Sequence, residues 1–462
     1  MGKKRLLTKK ILSLLIVSIL LIAGRIDVSA NEVFDKNLIT DINLDMYDGT
    51  SPIDTTYTKP TINTNKRISV RSCGAVGDGV TDDTAAIRAA IKKGEGTSVY
   101  FPPGEYVISK TLFIPANTIL FGDGDSSKII ACPGFKIGRD MLKLEDVSNV
   151  IITRLCISGN SNINTREQGY SDLDGIHLLD IWHSSNIDVY DCAFVDNIYC
   201  AVRMILDCNN MNYYNCRFKN VDCGVSALGS GSVDTLLVEQ CTFDGHLNSE
   251  PICLYGKGLY SNITINKNVI KNKYKGHAIY AGANGGTVSN ITVSNNALVD
   301  NCIGVKISNA STVNIYGNTL NTANLSLVDS GKGIDIRKCS DINIYGNIIS
   351  NTKMQAIYIG DCVNASIHDN NLTNCGYRSR DYHYIDVRGE NSEVDINSNT
   401  LIRTDTSLSP YVLVSHSKGN VSVTNNKFSR GCKILLCDDS EGMTLQNNNV
   451  TINNMGKNHT IQ

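Results

Sequence analysis

Residues 333–351 read GIDIRKCSDINIYGNIISN, and this stretch decides the fold. GIDIR alternates apolar and polar residues, KCSD turns, INIY alternates again, GN turns, and IIS closes before Asn351. Period-2 alternation in runs this short, cut by Gly, Asn and Asp, predicts three strands and no helix. The pattern recurs through the last two-thirds of the chain. Aligning the turn after the second strand puts Cys192, Cys216, Cys241, Asn268, Asn296, Asn318, Asn347, Asn370, Asn399, Asn426 and Asn448 in one column, at intervals of 22 to 29 residues. Irregular spacing of this kind predicts a β-solenoid whose coils carry loops of different length. Asn tolerates left-handed backbone at such a turn, and its amide can bond to the Asn above and below, so these residues read as scaffold.

The 462 residues are 19% charged and 42% hydrophobic with a formal net charge of −2. The length suffices for a large core. The balance gives no reason to expect nucleic acid or an anionic membrane as partner. Residues 1–30 read as a signal peptide: Lys3, Lys4, Arg5, Lys9 and Lys10, then the apolar run Ile11 to Ala23, then small residues at Val28-Ser29-Ala30. The expectation is a secreted, extracellular chain with no membrane contact after cleavage. Residues 31–66 form a polar lead-in segment, and residues 67–462 one domain.

An exported chain with 16 cysteines suggests disulfides, but their placement argues otherwise. Cys192, Cys216 and Cys241 share one repeat position, Cys200, Cys223 and Cys253 another, and Cys208, Cys339 and Cys362 a third. Stacked positions sit about 4.8 Å apart with parallel Cβ vectors, whereas a disulfide needs converging Cβ atoms about 3.8 Å apart. These thiols read as small apolar rungs. Cys73 and Cys132 lie outside the ladders, and their pairing stays open.

Residues 67–96 break the pattern. A strand at Ile68–Val70 leads into the turn GAVGDG and a helix opened by Thr81, Asp82 or Asp83 and ended by Gly94 and Gly96. The turn fits neither phosphate-binding motif. The helix is expected to cover an open sheet end. SVYFPPGEYVIS and TLFIPANTILFGDG (98–124) follow as short strands broken by Pro turns.

CGAVGDGVTDDTAAIRAAI followed by VYFPPGEYVIS resembles the N-terminal signature of the pectate-lyase-like superfamily. That resemblance implies an all-β, single-stranded right-handed parallel β-helix with an N-terminal α-helical cap. Its members include polygalacturonase-type glycoside hydrolases, alginate C5-epimerases and phage tailspike depolymerases. It also implies a polysaccharide substrate lying along the first sheet of each coil. There the alternation throws outward His177, Arg203, Ser226, Tyr280, Lys306, Asp335, Arg337, Tyr358, Asp386 and Arg388. Arg and Lys suit the carboxylates of uronates, and Tyr offers a face for a sugar ring.

Two clusters compete for the chemistry. In the first, Asp174-Gly175 resembles the Asn-Thr-Asp-Gly motif of polygalacturonases, Gly276-His277 their Gly-His-Gly motif and Val305-Lys306-Ile307 their Arg-Ile-Lys strand. Asn197-Ile198-Tyr199-Cys200 stands where those enzymes carry a further Asp, and inverting hydrolysis needs both carboxyl groups. Asp174 with His177 also resembles the Asp-Pro-His site of alginate epimerases, with Tyr170 as a proton-exchanging partner. The second cluster is Asp335, Arg337, Tyr358, Tyr382, His383, Asp386 and Arg388. Its competing reading is an electrostatic ladder of Asp335–Arg337 and Asp386–Arg388 pairs.

The expected catalytic groups are therefore Asp174, His177, Arg203, His277, Asp335 and Asp386. Tyr170, Asp172, Tyr280, Lys306, Arg337, Tyr358, His383 and Arg388 are expected to bind substrate. His183, His246 and His368 read as surface or structural residues. No metal site or cofactor is expected, loop-held Ca²⁺ being the one candidate. The expected function is cleavage of glycosidic bonds in a uronate-containing polysaccharide, polygalacturonase-like. The alternatives are a polysaccharide lyase or C5-epimerase, and a non-catalytic glycan-binding or adhesive β-helix.

Overall fold

The computed structural model describes residues 57–62, 64–135, 140–164, 175–245, 249–271, 277–283, 285–301, 303–322, 331–376, 383–404 and 411–462. All of them belong to one unit, Tyr57–Gln462. The expected signal segment, Tyr170, Asp172, Asp174, His246 and Tyr382 lie outside the described residues.

The short alternating runs become the strands of a parallel β-solenoid of about twelve turns. Each strand pairs in parallel with its counterparts one coil earlier and one coil later. Ser340–Tyr345, for example, pairs with Ala310–Tyr316 on one side and Val363–His368 on the other. The inward members stack into the core. One column runs Val202, Val225, Ile252, Ile279, Val305, Ile334, Ile357, Ile385 and Leu413, all buried. Leu413 closes this column, because Ile385 pairs with Leu413. Another column stacks Phe194, Phe218 and Phe243 with ring centroids 5.2 and 4.6 Å apart.

The Asn column forms a continuous hydrogen-bonded ladder. Each of Asn268, Asn296, Asn318, Asn347, Asn370, Asn399 and Asn426 donates its side-chain amide to Oδ1 of the next. The backbone N–H of each donates to the same oxygen. The left-handed residue, however, is the one before the ladder position, such as Asn295, Gly346 or Asp369. That residue makes the turn, and the ladder Asn points inward. Asn347→Ala removes the acceptor of both Asn318 donors in a dry interior. We expect a loss of about 2–3 kcal/mol, read as a lower denaturant midpoint.

All fifteen described cysteines are free, Cys73 and Cys132 included. Cys200 stands opposite Cys223 as expected, but Cys253 stands opposite Ser226, three residues further along its strand.

The helix α1 (Thr84–Lys93) buries Ile87, Ala90 and Ile91 in the core. Its N-cap residue Asp83 does not cap with its side chain. That carboxylate instead accepts from Val76 N (2.7 Å) and Gly77 N (3.0 Å), which occupies amides of the Gly-rich turn, while Asp82 Oδ1 accepts from Thr84 N (3.0 Å). Within the described part of the lead-in segment, Tyr57 donates to Asp188 (2.7 Å) and Lys59 pairs with Asp191 (2.8 Å). Among the described residues no helix is long and apolar enough to cross a membrane.

Candidate functional site

Strand register assembles the outward row of the first sheet. It runs Lys143, Asp180, Arg203, Ser226, Cys253, Tyr280, Lys306, Asp335, Tyr358 and Asp386. His177 was expected in this row, but Asp180 occupies it. The strand is Leu179–Trp182, so GIHLLD is shifted by three residues. A second row stands three residues earlier, where the chain turns a corner. His277 pairs there with Ile303, and Ile303 with Lys332. At the corner two successive residues face inward, as with Gly333 and Ile334. Strict alternation therefore fails one step before each strand.

Around Asp180, three chemically active side chains are gathered and closed off. His177 Nδ1 meets Asp140 Oδ1 at 2.8 Å, and Arg203 Nε donates to Asp180 Oδ1 at 2.6 Å. Burial pushes the His177 pKa down, but Asp140 and the Cys200 thiol together outweigh burial and hold it up. Burial raises the Asp180 carboxyl against the pull of Arg203, while Asp140 is held low by His177 despite its own burial. Donor atoms of Asp140, His177 and Asp180 lie within 4.8 Å of one another. Asp180 is 0% exposed and His177 3%. His177 Nε2 is buried without a hydrogen-bond partner, with the Tyr199 ring edge-on 4.9 Å away.

Three and four coils on, the same two rows present an open arrangement. His277 Nδ1 lies 3.0 Å from Glu250 Oε1, and these side chains keep 19% and 20% exposure. Burial works against the Glu250 carboxylate, but the hydrogen bond and charge of His277 hold its pKa below the usual value. The Tyr280 ring lies 5.0 Å from the imidazole, and Lys306 Nζ lies 5.1 Å from the Tyr280 ring centre. Tyr255 stacks on Tyr280 at 5.5 Å. Among the described residues Lys306 makes no ion pair.

Glycine lets the Tyr280 ring lie down on the sheet. A Cβ at Gly282 would stand 2.8 Å from Tyr280 Cε2 and 2.6 Å from Ser308 Oγ. Tyr358 lies over Gly360 in the same way, its Cε1 2.9 Å from where a Cβ would be. Gly282→Ala should tilt the Tyr280 ring off the strand. We expect the Tyr255–Tyr280 stack to be lost, read as a near-ultraviolet circular dichroism signal weaker than that of the unmodified chain.

Asp335 and Asp386 sit two coils apart, each neutralised from its own strand. Asp335 accepts from Arg337 Nε (2.7 Å) and NH2 (3.0 Å) and from Lys332 Nζ (2.9 Å). Asp386 accepts from Arg388 Nε (3.0 Å) and Gln355 Nε2 (2.9 Å). Tyr358 lies between them under Lys332 and Arg337, 4.5 and 4.7 Å from its ring centre. His383 is buried and bonds to the carbonyl of Tyr411 at 2.8 Å. The outer faces of Arg337, Tyr358 and Arg388 reach solvent, and the carboxylates do not. Of the other histidines, His183 pairs with Asp146 on the surface, and His368 stacks on Tyr345.

Residues 67–223 match the family model of rhamnogalacturonase A/epimerase, pectate lyase-like, and residues 205–329 and 234–401 match that of the right-handed β-helix region. Residues 67–223 are thus similar to the pectate-lyase-like family, and residues 205–401 to the right-handed β-helix region. The preneck appendage protein of Bacillus phage PZA is 30% identical over 154 residues, covering 32% of this chain and 17% of that protein. Alginate lyase 7 of Azotobacter vinelandii is 36% identical over 115 residues, covering 23% and 12%. The chain thus spans less than a fifth of these relatives. The crystal structure of PfbA, a surface adhesin of Streptococcus pneumoniae, superposes with a TM-score of 0.52 at 17% identity, covering 85% of this chain and 91% of that one.

In this β-solenoid the residues that alternation misses are Asp140, Glu250, Lys332 and Gln355, all three positions before an outward residue. Their signal was available as a repeated spacing, since His177/Asp180, His277/Tyr280, Lys332/Asp335 and His383/Asp386 all stand at i and i+3.

Proposed function

We propose that the chain is a secreted enzyme acting on a uronate-containing polysaccharide, with its reactive centre at Glu250, His277, Tyr280 and Lys306. The reaction is abstraction of the C5 proton of a uronate, leading to β-elimination or C5 epimerisation. One observation carries this choice over hydrolysis: His277 combines solvent access, a carboxylate on Nδ1, a neighbouring tyrosine and a lysine that makes no ion pair among the described residues. Hydrolysis needs two reachable carboxyl groups across the scissile bond, and Asp140, Asp180, Asp335 and Asp386 are all buried.

In this reading Glu250 accepts the proton on His277 Nδ1, which leaves Nε2 as the base. Lys306 faces the sugar carboxylate and stabilises the charge that develops on it when the C5–H bond breaks. In elimination the C4–O bond then breaks, the C4=C5 double bond forms, and the departing oxygen takes a proton from Tyr280. Tyr255, Tyr280 and Tyr358 offer faces for sugar rings, and Arg337 and Arg388 meet further carboxylates along the row. The names of the similar proteins, an alginate lyase and a rhamnogalacturonase/epimerase family, support a polysaccharide substrate.

The test is incubation of the purified mature chain with pectate and with alginate. New ultraviolet absorbance from an unsaturated uronate, or an altered uronate ratio without chain shortening, is the expected result. Reducing ends without that absorbance would return the chemistry to hydrolysis. Retention on a glycan column without any product would mean a binding module.

A further inference from the structure

Beyond that centre, at the C-terminal end of the same face, His416, Cys437 and Asp439 come together from two consecutive coils. His416 follows Arg388 in the row flanking the outward positions, since Arg388 pairs with His416. Cys437 and Asp439 follow the strand Lys433–Leu436 one coil later. Cys437 Sγ lies 3.3 Å from His416 Nε2, and Asp439 Oδ1 lies 3.0 Å from His416 Nδ1. One donor atom from each residue lies within 4.8 Å of the other two. His416 and Asp439 also line a cavity of about 350 Å³, together with Arg388, Gly389, Glu390 and Lys418.

We propose that His416, Cys437 and Asp439 bind a divalent transition-metal ion of the zinc class. Thiolate, imidazole and carboxylate are donor types that zinc takes; one nitrogen of His416 would bind the ion, so Asp439, now on Nδ1, turns to the ion bound between Nε2 and Cys437, and three protein ligands then leave a fourth position for water or substrate. The cavity supplies the space for that fourth ligand. Zinc at about 2.0–2.3 Å from each donor draws the ligands closer together than 4.8 Å. The exposed Asp439 side chain has the freedom to make that movement.

The test uses the full chain stripped with a chelator and then titrated with Co²⁺ and Zn²⁺. We expect one cobalt equivalent with a thiolate-to-cobalt charge-transfer band, lost in Cys437→Ser and in His416→Ala. In the unmodified chain, Zn²⁺ should slow alkylation of Cys437 by iodoacetamide at least about tenfold, because a bound thiolate is masked. Peptide mass mapping reads that protection without any variant. A band that persists in Cys437→Ser, or alkylation of Cys437 unchanged by Zn²⁺, overturns the proposal. Rapid alkylation that depends on His416 but not on metal also overturns it, in favour of a thiol relay.

Discussion

His277→Ala should abolish uronate turnover almost completely, with a fall in kcat of about 10²–10⁴-fold, the range for loss of a positioned acid–base group. KM should change little, because the tyrosine faces and the arginines of the row are untouched. Glu250→Gln should cost less, since it leaves the imidazole in place but removes the carboxylate 3.0 Å from Nδ1 that fixes its tautomer. The control is Asp180→Asn in the closed cluster. If Asp180→Asn abolishes activity and His277→Ala leaves kcat unchanged, the reactive centre lies at Asp140, His177, Asp180 and Arg203 instead. Circular dichroism and the denaturant midpoint separate lost chemistry from lost folding for each variant.

The repeat was legible because its physics is local. Ile334, Ile336, Ile342, Ile344 and Asn347 follow the period of a strand and the place of a turn, and the structure buries all five. The row Arg203, Ser226, Tyr280, Lys306, Asp335, Tyr358 and Asp386 follows from the same alternation and is the row that forms. What alternation could not give is the corner, where Gly333 and Ile334 both face inward and bring Lys332 back outward. That change of phase hid Glu250 and Asp140, and it placed His177 in a row that belongs to Asp180. The pairing of His416 with Cys437 and Asp439 was hidden for another reason: its members come from different coils, whose loop lengths set who meets whom. Closing of the carboxylates was half legible. An Asp two residues before an Arg on one strand face can pair with it, and Asp335 with Arg337 and Asp386 with Arg388 do so.

That closure makes Asp335 a scaffold residue with a large expected effect on stability. Its carboxylate is 1% exposed and is the counter-charge of Lys332, which is itself 10% exposed. Asp335→Ala leaves that ammonium buried without its partner. The expected cost is about 3–5 kcal/mol, the usual penalty for breaking a buried pair from one side. Arg337 adds little, because nearly half its side chain is exposed and can turn to water. Burial acts to raise the Asp335 pKa, but Arg337 and Lys332 outweigh it and hold the value below the usual carboxylate range. A depressed folded-state pKa gives stability that is complete above the unfolded carboxylate value and is lost as pH falls through the folded one. The acid limb of the stability curve should therefore be shallower in Asp335→Asn than in the unmodified chain, with the two curves offset by a constant amount near neutrality. Lys332→Met with Asp335→Leu removes both charges at once and should restore most of the loss, because a matched apolar pair spares both desolvation penalties. Activity should survive in that double variant if His277 is the base, and should vanish if Asp335 performs the chemistry.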